Sequence, residues 1–305
     1  MSIKSVLTSS YAAKLLLFGE HIVLKGAQAL AMPLPMYGGQ WRFAAKGAHI
    51  QYPIMPFVKY VRQLRKSSEL QANLQIDNLA EQVAKGLYFD STIPIGYGLG
   101  SSGAFVAGIY DQFSTSQQTD IIMLRRELAQ LESYFHGASS GTDPLICYLR
   151  QPLLINSADD IAPVELPNMQ THSGYTIFIL NTGIKRQTQT YVNLFLNDCK
   201  DENYQNRCAS ELMPLSNEAI AAFLQARWDL LYERWHQISL FQLRYFDKMI
   251  PDAFRQIWLD GLSGDVFKLK LCGAGGGGFI LGMTDDFDTI CQQYPHCELN
   301  KVYEL

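Results

Sequence analysis

Residues 94–102 read PIGYGLGSS, with glycines at 96, 98 and 100 followed by two serines. Alternating glycines can turn their backbone amides inward with no side chain in the way, which makes a nest for anions. A helix starting directly after them would add unpaired N–H donors and the positive end of its dipole, a combination suited to a polyphosphate. Ser101 and Ser102 would then hold hydroxyls within reach of a phosphate oxygen or a magnesium ion. The plain alternative is a flexible turn before a helix, and the lysine of a GxxxxGK[ST] loop is absent. A second cluster, GAGGGG at 273–278, formally matches GxGxxG. A dinucleotide fingerprint needs a long helix after its glycines, whereas here the apolar run FILGM follows, so the reading is a strand, a glycine turn and a strand whose tip can approach a ligand closely.

Two acids and one base complete the chemistry. Glu132 sits late on a helical stretch and Asp143 follows the break HGASSG. Transfer of a phosphoryl group to an alcohol needs a carboxylate to orient the hydroxyl or take its proton, and magnesium needs a hard oxygen besides those of the phosphates. One acid could serve each task; an exposed helix charge and a helix cap are the bland alternatives. Lys14 opens an otherwise apolar run, where a charge is out of place unless paired or turned to solvent. Beside Asp143 it would hold that carboxylate ionised and stabilise charge on a transferring oxygen.

The elements that must carry these residues follow from pattern. KLLLF at 14–18 has a strand's length, GEH breaks it, and Ile22 to Leu24 reads as a second short strand. A helix is expected after Pro56. Leu87 to Ile95 reads as extended, leading into the glycine loop, and 101–113 as a helix with both serines in its first turn. Asp120 caps a long helix with Ile121, Leu124, Leu128, Leu131 and Phe135 on one stripe, ended by His136 and Gly137. Another helix can open within 140–149. Residues 151–174 are weakly patterned, with Pro152, Pro163 and Pro167, and a domain boundary is placed near 170. Beyond it come a buried strand at 175–180, a helix from about Thr188, two helices within 217–246 and strands at 266–271 and 279–283. The aromatics Trp228, Tyr232, Trp235 and Phe241 read as core.

The chain of 305 residues fits two domains, 1–170 and 171–305, and its 48% hydrophobic and 18% charged composition is that of a folded protein. A net charge of -4 with scattered Lys and Arg argues against nucleic acid or a membrane surface as partner and favours a small molecule. No run approaches a membrane span, and no basic, apolar, small-residue leader pattern is visible, so export is not expected. The six cysteines show no two-residue metal or redox spacing and are read as free thiols in a reducing cytoplasm.

Taken in order, KLLLFGEHIVL from Lys14, PIGYGLGSS from Pro94, SSGTD from Ser139 and KLCGAGGGG from Lys270 resemble the opening segment and the three signature motifs of the GHMP kinases. FGEHIVL followed by Gly26 and Ala29 resembles the mevalonate kinase branch; galactokinases continue GEH into Asp and Tyr, phosphomevalonate kinases usually carry GGY there, the related decarboxylases start differently, and homoserine kinases typically lack the acid at Asp143. The resemblance implies an α+β fold of two domains, the N-terminal one like domain 2 of ribosomal protein S5 and the C-terminal one ferredoxin-like, with substrates in the cleft between domains. It implies ATP and Mg2+, phosphorylation of the 5-hydroxyl of mevalonate, and a homodimer as a compatible assembly. Another small acceptor, phosphomevalonate or a sugar, and a sensor that binds ATP without turnover are the rival readings.

By the same resemblance Gly96, Gly98, Leu99, Gly100, Ser101 and Ser102 hold the ATP phosphates, Ser102 and Glu132 ligate magnesium, and Asp143, paired with Lys14, acts on the acceptor hydroxyl. The interval from Glu132 to Asp143 matches the family's. Glu20 and His21 lie at the acceptor side, Arg186 and Thr188 of NTGIKRQTQTYV face the site, and Gly275 and Gly276 shape it. The chain departs from the family pattern at Ala12 and Ala13, where Pro and Gly are usual, at Gly103 for Ala, and at Ala138 and Ser139 for Asn and Pro.

Overall fold

The computed structural model describes residues 9–44, 52–167 and 174–304, which form two compact units. The first takes residues up to Leu15 with Met32–Ile95 and Leu99–Gln151; the second takes Leu16–Ala31, Gly96–Gly98 and the chain from Pro152. The boundary expected near residue 170 lies outside the described residues.

Strands β1 (Ser10–Phe18) and β2 (Ala29–Phe43) contribute residues to both units. In the first unit come α1 (Ile54–Lys66), α2 (Ile76–Ala84), β3 (Leu87–Ser91), α3 (Ser101–Phe113), α4 (Ile121–His136) and α5 (Thr142–Leu149). β2 pairs antiparallel with β3, Gly39 opposite Ser91 and Phe43 opposite Leu87. α3 is the central helix: Gly103 through Tyr110 are all buried, so it has no solvent stripe. Its small residues admit close neighbours. A Cβ on Gly103 would stand 2.8 Å from the backbone of Asp143 and Pro144, so glycine is what lets α5 lie against α3. The Trp41 indole donates to the Gly108 carbonyl at 3.1 Å, and Trp41, Phe89, Tyr52 and Phe105 interlock around the helix with centroids 4.9–6.1 Å apart. Each such buried ring contributes roughly 1.5–3 kcal/mol.

α4 starts as its sequence predicts, the Asp120 carboxylate accepting from the Met123 N–H at 2.8 Å. Its buried stripe is Leu124, Leu128 and Leu131, and Glu132, four residues after Leu128, falls on it.

The second unit begins with β4 (Leu153–Ser157) and β5 (Asp160–Pro163), an antiparallel pair, with Ala29–Ala31 of β2 pairing onto β4. After β6 (Thr176–Asn181) come α6 (Thr188–Asp198), α7 (Glu202–Arg207), a π-helical turn at Cys208–Leu212, α8 (Met213–Leu224), α9 (Trp228–Tyr245) and α10 (Arg255–Ser263). β7 (Phe267–Leu271), β8 (Phe279–Thr284), α11 (Phe287–Gln293) and β9 (Glu298–Glu304) close the chain. The sheet is antiparallel throughout in the order β7-β8-β6-β9, and the glycine turn joins β7 to β8 as the expected hairpin-like unit. α9 and α10 pack on β7, every residue of which is buried. Among the described residues no helix is long and apolar enough to cross a membrane.

One expectation is corrected. Ile22–Lys25 is a 3-10 turn rather than a strand: His21 has φ +60°, Gly26 closes the turn at φ +92°, and Leu24 N–H bonds the His21 carbonyl at 3.0 Å. Within the weakly patterned stretch that starts at 151, β4 and β5 form an antiparallel pair.

Candidate functional site

In the first unit, the catalytic candidates converge. Lys14 is buried on β1 with its backbone N–H bonded to the Leu99 carbonyl at 2.9 Å, so the strand and the end of the glycine loop are held together. Its Nζ lies 2.9 Å from Asp143 Oδ1. Asp143 is the second residue of α5, and Gly141 caps that helix. Gly100 caps α3 at φ +73°, and a Cβ there would stand 2.7 Å from Lys14 Cγ and 3.7 Å from Asp143 Cβ. The loop therefore needs glycine twice over, for its backbone angle and for the space the ion pair fills. In the first turn of α3 the N–H groups of Ser101 and Ser102 have no intrahelical acceptor. That leaves donors and the positive helix end at one place.

Ser102 Oγ donates to Glu132 Oε1 at 2.9 Å, and His136 Nε2 lies 3.0 Å from the same hydroxyl. Ser139 Oγ donates to Glu132 Oε2. Glu132 is 4% exposed. Burial first, and the Asp143 carboxylate second, push it up to about 7, against the two serine donors and the Lys14 ammonium. Tyr52 OH meets Ser101 Oγ and packs behind the helix start.

The second unit holds the other expected residues. Gly96 accepts from the Arg186 N–H at 2.9 Å, and the Arg186 side chain fills the space beside Gly98 and Gly273. Arg186 Nη1 donates to the Cys272 carbonyl at 2.5 Å. His21 Nε2 lies 3.1 Å from the Ala274 carbonyl, and its ring packs on Phe195 and Phe246 at 5.0 and 5.6 Å. Burial, joined by the Arg186 charge, lowers His21 to about 4, so at neutral pH it is an uncharged imidazole. Glu20 is ion-paired with Lys270, whose side chain is fully buried. Burial raises the Glu20 carboxyl despite that ammonium. Gly276 N–H donates to the Met249 carbonyl at 2.6 Å, Gly275 packs against Met249, and exposed Thr188 opens α6.

Lys14, Leu99, Gly100, Ser101, Ser102, Glu132 and Asp143 thus gather in one unit, and Glu20, His21, Gly96, Gly98, Arg186, Gly275 and Gly276 in the other. Sequence reasoning missed His136, Ser139 and Lys270. His136 had a signal, since it lies one helical turn after Glu132 and so on the same face.

Among the described residues no three His, Cys, Asp or Glu side chains gather as a metal cage. Ser102 and Glu132 present hard oxygens side by side, and a carboxylate buried beside a second carboxylate favours a cation. That donor set fits magnesium, which takes one or two protein oxygens and the rest from phosphates and water.

Residues 58–151 match the family described as GHMP kinases N terminal domain. The mevalonate kinase of Thermococcus sibiricus is 27% identical over 191 residues, a match spanning 54% of this chain and 57% of that one, so little more than half of the relative is covered. Among solved structures, L. major mevalonate kinase in complex with R-mevalonate superposes with a TM-score of 0.67 at 15% identity, covering 100% of this chain and 98% of the other. Streptococcus pneumoniae phosphomevalonate kinase in complex with phosphomevalonate and AMPPNP gives 0.66 at 15% identity, covering 96% and 99%. At that identity the two superpositions speak for the α+β fold alone, and they do so over the whole chain. Residues 58–151 thus carry the sequence of a GHMP kinase N-terminal domain, and the α+β fold is one shared with mevalonate and phosphomevalonate kinases.

Proposed function

We propose that the protein transfers the γ-phosphoryl group of ATP to the 5-hydroxyl of mevalonate, giving 5-phosphomevalonate for isoprenoid precursor synthesis. The observation that carries the reading is the Lys14–Asp143 pair at 2.9 Å, set against Gly100 where the glycine loop enters α3. In this reading the loop amides and the first turn of α3 bind the phosphates. Asp143 orients the acceptor hydroxyl and takes its proton as the oxygen bonds to the γ-phosphorus and the bond to the β,γ-bridging oxygen breaks, releasing ADP. Lys14 holds Asp143 in place and offsets negative charge on the transferring oxygens. Ser102 and Glu132 would hold magnesium, which would supply charge neutralisation for the nucleotide phosphates. The acceptor contacts assigned by resemblance to Glu20, His21, Arg186, Thr188, Gly275 and Gly276 belong to the second unit and are part of the proposal.

The mevalonate assignment is supported by FGEHIVL and by the name of the Thermococcus relative. An assay of ADP release against mevalonate, phosphomevalonate and galactose tests it. Mevalonate-dependent ADP release is expected; turnover with another acceptor alone changes the substrate, and none with any acceptor leaves a binding protein. Asp143→Asn should lower kcat by roughly 10²–10⁴-fold while ATP still binds. Near-normal turnover in that variant would remove Asp143 from the chemistry.

A further inference from the structure

Ser139 has no role in the scheme so far. Its Oγ donates to Glu132 Oε2 at 2.5 Å and accepts from the Gly141 N–H at 2.9 Å. Glu132 is four residues from the end of α4, and Gly141 is the cap of α5, two residues before Asp143. One hydroxyl therefore ties the first acid to the turn that launches the second. That turn, 137–141, begins and ends on glycines with φ +74° and +75°, so its backbone has conformational freedom to lose. Glu132 in turn has three rotatable side-chain bonds and a nearly inaccessible carboxylate whose second oxygen needs a donor.

We propose that Ser139 is a positioning residue for the acidic pair, holding Glu132 with Oε1 toward Ser102 and fixing the start of α5 before a magnesium–nucleotide complex arrives. The inference rests on the kinase reading above. In this reading Ser139 acts through Glu132, as hydrogen-bond partners of metal ligands do, and their loss typically weakens metal binding about 10–100-fold. The donor pattern is consistent: with Glu132 ionised, the serine proton goes to the carboxylate and the serine lone pair takes the Gly141 N–H.

The test is a titration of Mn2+, followed by its paramagnetic signal, into protein saturated with a non-hydrolysable ATP analogue, with no turnover involved. Ser139→Thr and Ser139→Val compare side chains of matched volume with and without the hydroxyl, and Ser139→Ala repeats the deletion. The Val and Ala variants should bind Mn2+ about 10-fold more weakly, the Thr variant close to wild type, and all should bind the metal-free analogue alike. A loop pin alone would lower the unfolding temperature of Val and Ala without moving Mn2+ affinity, and that result overturns the inference while leaving the kinase reading intact. A wild-type protein that takes up no Mn2+ with the analogue overturns both.

Discussion

Replacing Lys270 by Met probes the buried charge pair beneath the Glu20–His21 turn. The Lys270 ammonium donates to Glu20 and to the carbonyls of Leu17 and Leu271 at 2.8 and 2.9 Å, and it lies 5.2 and 5.4 Å from the Phe18 and Trp235 ring centroids. Met keeps the length and the contact with both rings. It leaves a 4%-exposed carboxylate without its cation and two carbonyls without a donor. Breaking a buried pair on one side costs about 3–5 kcal/mol. The loss expected at pH 7.5 is about 4 kcal/mol, on the order of 10 °C in Tm. Burial already raises the Glu20 carboxyl, and without the cation it rises further. A raised carboxyl favours the folded state at low pH and loses that contribution as pH climbs, so the deficit should shrink when the variant is unfolded in urea at pH 5. Glu20→Gln added to Lys270→Met removes the orphaned charge and should recover about half of the loss. A deficit below about 1 kcal/mol, or a second substitution that recovers nothing, would refute the claim that these two charges are held together out of water.

Three further substitutions test the site and its pH response. Gly100→Ala should lower kcat more than 10-fold and cost about 1–2 kcal/mol in backbone strain, because its Cβ displaces Lys14; Gly137→Ala, at φ +74° with nothing within 4 Å, should carry the strain without the kinetic loss. Steady-state kinetics and urea unfolding of both variants separate the two contributions, and equal kcat losses would show that Gly100 matters only for its backbone. His21 drops from 6.5 to about 4 on folding, so its contribution is full above pH 6.5 and is lost as pH falls toward 4, on the order of 3 kcal/mol. His21→Asn, a residue type that also tolerates positive φ, should flatten that part of the pH–stability curve; an unchanged slope would place the titration elsewhere.

The residues of the first unit were legible because their spacing carries information that survives without coordinates. Glu132 falls one turn after Leu128 on the stripe that buries α4, and Asp143 follows a break too short to go anywhere but alongside. Lys270 was not legible. FKLKL alternates like a strand with one wet face, and only α9 and α10, which cover β7, make that face dry. The long strand β2 was hidden by Pro33 and Pro35, residues that argue against a central strand. Both prolines fall between Ala29–Ala31, which pair with β4, and Gly39–Phe43, which pair with β3, so neither interrupts those ladders. Ser139 was seen as a departure from a pattern, but a hydroxyl in a loop has no periodicity to betray its partners.

The two acids of the first unit are not interchangeable, and the reason lies in what surrounds each. Asp143 has an ammonium at 2.9 Å and its side chain is 34% exposed, so its charge is balanced and one edge stays open to a solute. Glu132 is nearly inaccessible, has two hydroxyls for partners, and feels Lys14 least of all the groups that act on it. Burial first, and the neighbouring Asp143 charge second, push its carboxyl toward neutral pH. A divalent cation would reverse that push, whereas at Asp143 it would compete with an ammonium already in place. In the proposed reaction, the division of labour between metal ligand and base would follow from the burial of Glu132 and from the placing of Lys14 beside Asp143. Moving that charge, by Lys14→Met, should impair proton transfer at Asp143 while leaving Mn2+ uptake beside Glu132 intact or stronger; weaker Mn2+ binding in that variant would mean that the assignment of the two acids is reversed.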